Sequence, residues 1–431
     1  MSKSSFTLSL PTAILININI MLGAGIFLNT VPLAKFAGAL SPLAYLMVGI
    51  MMLPLIMSIA RLLKLFPGGS FYTFGALGVH PLIGFISAWS YFTGKLASAT
   101  LMIHFFSQIT TSLIPAFSGI NPFALDSIII TLFAGLNSLN MRIGSTIQYL
   151  FLSLKSTPIL FVILAGLYYV SGAHFTPEQL LWHGVPPTIP LVIYAFTGFE
   201  ASCSLSQHIY NPERNAPRAI FYSFGLVLVT VCTYQAIFYG VLGSKLTGVA
   251  HYFEAIPLFI GRIIQSIHTQ NTVSALLQLA VAASALGGAY GILFSNNWNL
   301  HVLAQNNHLL FSKTIQKLNA HRMPYVCVAI EALFCFWYLW LSGGNNVRLQ
   351  HIAAFGSVIG YTISIIALIV TLRKQYAHGM SIAYAALASC LGLMALCING
   401  FISQSIIPLY AFLGVIACGI AMYAANTRSH N

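Results

Sequence analysis

The sequence predicts an all-α polytopic membrane protein with twelve crossings, and three observations lead to that class. Only 6% of the 431 residues are charged and 58% are hydrophobic, whereas soluble domains carry about 25% charged residues. Apolar stretches close to the roughly 20 residues that span hydrocarbon recur along the chain between short polar connections. Two of them, the first and the sixth, are interrupted at Gly23-Ala24-Gly25 and at Thr197-Gly198. An odd offset between the two would set the second copy upside down relative to the first. That is the layout of a five-plus-five inverted repeat, with a site where the broken helices meet. The expected division is residues 1–171, 172–376 and, as two extra helices with a short tail, 377–431.

The first crossing, 12–33, contains Gly23 and Gly25, each costing about 0.8–1 kcal/mol relative to Ala in a helix. In hydrocarbon the penalty grows, because freed backbone groups have no water to turn to. The break therefore reads as a binding site or as a glycine packing face. The second crossing, 41–63, ends at Arg61 and Lys64, ahead of the breaker Pro67-Gly68-Gly69. The third, 81–113, opens on Pro81; the fourth is 122–140; the fifth, 147–171, carries Lys155 and Pro158. A polar stretch with His174, Glu178 and His183 precedes the broken sixth, 188–210. The seventh is 218–242, and a longer connection, 243–270, leads to the eighth, 272–304. The last four are 324–342, 350–372, 380–400 and 404–424.

The net charge of +12 is spread over many loops and forms no basic domain for nucleic acid; topology accounts for it. Loops on the N-terminal side hold Lys3, Arg61, Lys64, Arg142, Arg214, Arg218, Lys313, Lys317, Arg322, Arg373, Lys374 and Arg428. The other side has Lys35, Lys245, Arg262 and Arg348, so both termini are expected in the cytoplasm. No Ala-x-Ala cleavage site follows the start, and none of the seven cysteines has metal-ligand spacing. No cofactor, metal or obligatory protein partner is expected. Motifs for intramembrane hydrolysis (His-Glu-x-x-His, Gly-x-Ser-x-Gly, paired aspartates) are missing, so the chain does not read as an enzyme.

The sequence Gly23-Ala24-Gly25-Ile26-Phe27 resembles the first-helix motif of the amino acid–polyamine–organocation superfamily. Phe66-Pro67-Gly68-Gly69-Ser70-Phe71-Tyr72 is similar to that family's turn after helix two. Phe196-Thr197-Gly198-Phe199-Glu200-Ala201, followed by Asn211-Pro212-Glu213-Arg214-Asn215-Ala216-Pro217-Arg218, resembles its broken sixth helix and the loop behind it. Lys317-Leu318-Asn319 with Pro324 is similar to the loop before helix nine. The resemblance implies a LeuT-type fold and secondary transport of amino acids or related amines.

On this reading the unwound backbone at Gly23, Ala24, Gly25 and Ile26 presents N–H groups to a substrate carboxylate. Carbonyls near 19–22 and 195–198, including that of Thr197, would accept from its ammonium. Tyr194 and Phe196 stand where relatives place an aromatic over the substrate, and Phe199 lines the pocket or packs. Glu200 is a gate, a proton-binding group or a carboxylate held by its own broken helix. Lys155 corresponds to a lysine that in several family branches lies against helix one in place of a sodium ion, which implies sodium-independent transport, proton-coupled or by exchange. Lys95 pairs with Glu200 or meets the substrate, steering specificity away from cations. His104, His208 and Glu331 have no identifiable partner in the sequence, and Glu200 and Glu331 are the acids expected at depth. The expected substrate is a neutral amino acid carried across a bacterial inner membrane. A polyamine or amine antiporter or exporter, and a membrane amino-acid sensor without flux, are the alternatives.

Overall fold

A computed structural model describes residues 7–376 and 378–428; Lys3, counted above, lies outside them. The first apolar stretch is three helices, α1 (Leu10–Met21), α2 (Gly25–Leu28) and α3 (Thr30–Ala37). Ser9 starts α1 by accepting from the Thr12 amide, the usual service of an N-cap hydroxyl. Next come α4 (Ser41–Leu65), α5 (Phe71–Gly78), α6 (Pro81–Leu113), α7 (Pro122–Asn137) and α8 (Met141–Gly166). The sixth stretch splits into α9 (Val185–Phe196) and α10 (Ala201–Ser204). After it run α11 (Pro212–Leu242), α12 (Tyr252–Ile263) and α13 (Ile267–Gln305). The chain finishes with α14 (Ser312–Ile315), α15 (Tyr325–Ser342), α16 (Asn346–Lys374), α17 (Met380–Gln404) and α18 (Ile407–Arg428).

The protein is all-helical: the described residues hold no strand, only two isolated bridges. Among the described residues, nine helical segments are long and apolar enough to cross a membrane. Three expected crossings are not among them. α7 is a shorter apolar helix, and α9 with α10 is broken by residues 197–200. α6 spans the expected 81–113, but Ser87, Ser90, Thr93, Lys95, Ser98, Thr100 and His104 interrupt its apolar run, and all are buried. It is an interior helix, packed against α13 and α16.

Three local expectations change. α8 begins at Met141, not 147, because Asn140 caps it by accepting from the Ile143 amide. A helix, α5, follows the Pro-Gly-Gly turn, and its Gly75 meets Gly84 so closely that a Cβ there would lie 2.7 Å from the Gly84 Cα. The connection 243–270 contains α12, which buries Tyr252, Ala255, Ile256, Phe259 and Ile260; that spacing is one face of an amphipathic helix.

Candidate functional site

The two interruptions touch. Gly198 has φ +128°, and a Cβ there would sit 2.6 Å from Ile20 Cγ2 and 3.0 Å from the Met21 nitrogen. A Cβ on Gly25 would lie 3.1 Å from the Ala195 Cα. At Gly198 both the close approach and the positive φ call for glycine, whereas at Gly25 a Cβ would make a tight contact with the Ala195 backbone. Among the described residues, the N–H groups of Gly23, Ala24, Gly25 and Ile26 donate no hydrogen bond.

The broken ends are held by polar side chains from α8 and α13. Lys155 on α8 donates from Nζ to the Asn19 carbonyl at 2.6 Å, an oxygen that the break leaves without its helical amide partner. Ser284 on α13 donates to the Leu22 carbonyl at 3.1 Å. Asn19 itself donates to Gln148 and, at 2.9 Å, to the Gly287 carbonyl. Two of the carbonyls in 19–22 are thus already engaged.

At the second break Glu200 spends one oxygen on its own backbone, accepting from the Gly198 amide at 2.7 Å. Its other oxygen lies 2.6 Å from Lys95 Nζ and accepts from the Tyr91 hydroxyl at 3.0 Å. Lys95 also stands over the Tyr91 ring, 5.5 Å from its centroid. Both charges are buried, and their mutual attraction, with the Tyr91 and Gly198 hydrogen bonds, offsets part of the cost of taking each out of water. The pairing and the local-backbone readings of Glu200 coexist in one arrangement, with Lys95 facing the carboxylate.

The amino acid permease family model matches residues 8–427. The chain belongs to the amino acid permease family. That family, within the amino acid–polyamine–organocation superfamily, is one of transporters, and the permease is an integral membrane protein. The chain is 24% identical to an uncharacterized transporter of Mycobacterium tuberculosis over 70% of its own length and 66% of the relative's. It is 23% identical to b(0,+)-type amino acid transporter 1 of Oryctolagus cuniculus over 70% of itself and 62% of that protein. The branched-chain amino acid permease BcaP of Bacillus subtilis is 22% identical over 97% of the chain and 92% of its own length. The first two matches therefore span just under two thirds of those relatives.

In the permease, Tyr194 lines a cavity of about 560 Å³ with Leu28, Asn29, Phe105 and Gln108, reaching the α12 segment and the start of α16. This cavity lies beyond the breaks, on the side away from Leu8. Phe196 and Phe199 are not among its walls. Phe196 packs on Tyr45 and Phe224, and Phe199 on Phe224 and Tyr361. Thr197 turns its hydroxyl back to the Tyr194 carbonyl. On the N-terminal side the Leu8 amide donates to the His208 carbonyl, and Tyr210 donates back to Leu8, beside a cavity of about 590 Å³ lined by His208, Trp298 and His301. Tyr72 and His308 add a hydrogen bond at 2.7 Å.

Several polar groups around the breaks carry no mark in the sequence. Asn17, Asn19, Gln148 and Ser284 lie in otherwise apolar helices, and only their density among aliphatic residues could have drawn attention. Asp126 is a correction. It is as buried as Glu200, although it was not counted among the deep acids, and its Oδ2 lies 2.6 Å from Nδ1 of His104. His104 thereby gains the partner that its sequence neighbours could not indicate, through a side chain on α7.

Proposed function

We propose that this permease is a sodium-independent secondary transporter of a neutral amino acid, working by alternating access in a LeuT-type fold of twelve crossings. The repeats are 1–171 and 172–376, with 377–431 appended. The observation that carries the reading is the Lys155 ammonium on the Asn19 carbonyl. A built-in cation occupies the broken backbone, so no metal ion is needed to neutralise that carbonyl end. The unbonded amides at 23–26 are left for a carboxylate. In this reading the pairing of Leu8 with His208 and Tyr210 belongs to one end-state of the cycle, with cavities of about 590 and 560 Å³ on the His208 and Tyr194 sides of the breaks.

Substrate class follows from charge. Glu200 is neutralised by Lys95, which leaves no free carboxylate at the second break to attract a polyamine. The nearly full-length similarity to a protein named branched-chain amino acid permease supports an aliphatic substrate. The bias of Lys and Arg supports cytoplasmic termini, and the similarity to Bacillus and Mycobacterium relatives supports a bacterial membrane. The test is uptake of labelled leucine, valine and phenylalanine into proteoliposomes, with sodium and pH gradients imposed separately. Accumulation without sodium is expected. Strict sodium dependence would overturn the ion reading, and binding without flux would make the protein a sensor.

A further inference from the structure

A second polar feature lies away from both breaks. Glu331, on α15, is buried, and neither carboxyl oxygen has a hydrogen-bond partner. It lines a void of about 10 Å³ together with Asn137 of α7, between walls that include Ile130, Leu293 and Val328. Asn137 is equally buried, and both atoms of its amide also lack a partner. Buried polar groups without hydrogen bonds are rare and expensive. Two of them facing one void the size of a single water molecule indicate what fills it.

The groups bearing on Glu331 are uncharged. They are Asn137, the Asn296 side chain of α13, and Cys327 and Cys335 on its own helix. The charges on the helices packed against α15 are committed elsewhere or lie at helix ends. Lys95 and His104 of α6 are paired with Glu200 and with Asp126 of α7. His301 of α13 bonds the Gln316 carbonyl, and His351 of α16 packs at a tilt against Phe401. His268 of α13, Lys313 of α14, and Arg348, Arg373 and Lys374 of α16 sit in terminal turns. A carboxylate at this depth with no cation opposite is the costliest state available to it, and a proton removes that cost.

A chain of hydrogen bonds starts at Asn296, the neighbour that bears on this carboxyl. Asn296 donates to the Phe92 carbonyl at 3.0 Å and accepts at Oδ1 from Asn299 at 3.0 Å, and Asn299 donates to the Ser204 hydroxyl oxygen at 2.8 Å. Ser204 ends α10, the second half of the broken helix that Glu200 precedes.

We propose that Glu331 is a protonation site, exchanging a proton with a water held beside Asn137, and that its charge state reaches α10 through Asn296, Asn299 and Ser204. The carboxylate takes the proton from hydronium in the void, leaving a neutral acid and water, and the reverse step restores both. The consequence for transport rests on the function proposed above; the protonation itself does not.

Infrared difference spectra of the full-length protein in bilayers, titrated from alkaline to acid pH, test the site. The expected result is a protonated-carboxyl C=O band that grows with acid and is lost in Glu331→Gln. A band that persists in the variant, or a wild type without a Glu331-dependent component, overturns the proposal. Should Glu331→Gln fail to fold, Asn137→Ala must shift the frequency or midpoint of that band; an unmoved band is equally fatal. In proteoliposomes, Glu331→Gln should keep substrate binding while uptake loses its response to a pH gradient. An unchanged pH response refutes this route. A wild type without any flux would refute the transport reading alone, leaving the infrared result to decide the protonation.

Discussion

The ammonium of Lys95 and the carboxylate of Glu200 are 2.6 Å apart, both buried, one on an unbroken helix and the other at a helix break. The pair ties the interior helix α6 to the hinge of the sixth stretch. Removing one partner strands the other. Lys95→Met is expected to destabilise the protein by roughly 3–5 kcal/mol, the usual cost of an orphaned buried charge. Lys95→Met with Glu200→Gln should recover most of that loss. Apparent Tm values of the four proteins in one detergent give the cycle, and additive losses would show that the two charges act independently.

The contact between the breaks makes a contrast among three glycines. Gly198→Ala places a Cβ against Ile20 and the Met21 backbone while forcing a left-handed conformation, at a cost of about 1–3 kcal/mol. Gly25→Ala meets Ala195 backbone, which cannot retreat without moving α9. Gly23→Ala meets the terminal methyl of Met102 at 2.7 Å, a flexible end that can turn aside, and the Ile20 carbonyl oxygen at 3.2 Å, beside a segment that is already irregular. Thermal stability should therefore fall for Gly198→Ala and Gly25→Ala and change least for Gly23→Ala. An equal loss at all three would mean that backbone irregularity, and not the contact, is what these glycines serve.

Much of this arrangement was legible in the sequence, and the reason is specific. Gly-x-Gly and Thr-Gly inside spanning-length apolar runs are chemically conspicuous, since hydrocarbon offers nothing else to a freed peptide group. α6 was bounded correctly because Pro81 opens it and Pro115, with Gly119 beyond it, stops it from continuing. Partners across helices were harder. Lys95 and Glu200 could be paired because charges are so scarce, but Asp126 and His104 were not, as each sits in a separate, mostly apolar helix. The orientation of Phe196 and Phe199 toward Phe224 depends on the turn of α9 about its axis, which a break makes unpredictable from spacing.

Lys155 reaches a carbonyl that only the break exposes. Lys155→Ala is expected to abolish uptake while leaving enough folded protein to purify, because Ser284 and Asn19 still hold the broken end. The check is flux in proteoliposomes reconstituted at matched protein levels. Near wild-type, pH-dependent uptake in the variant would remove the proposed role of this cation.

The closure near the N-terminus contains a titratable ring. His208 closes the short turn Ser206–His208 between α10 and α11, outside the spanning helices, with its ring tilted at 52° against Trp298 and centroids 3.9 Å apart. Burial, with His301 nearby, lowers its pKa from 6.5 to about 4. Its carbonyl receives the Leu8 amide, so any movement of this residue loosens the pairing with the N-terminal segment. A group with a depressed pKa favours its buried state above the ordinary value and loses that stabilisation as acid approaches the lowered one. The closure should therefore be complete above pH 6.5 and weaken as the pH falls toward about 4. Hydrogen exchange at the Leu8 and Tyr210 amides, corrected for intrinsic rates, reads this directly. Protection should drop with acid in the wild type and stay flat in His208→Gln. If the variant keeps the same slope, His208 is not the group that sets the pH dependence of this closure.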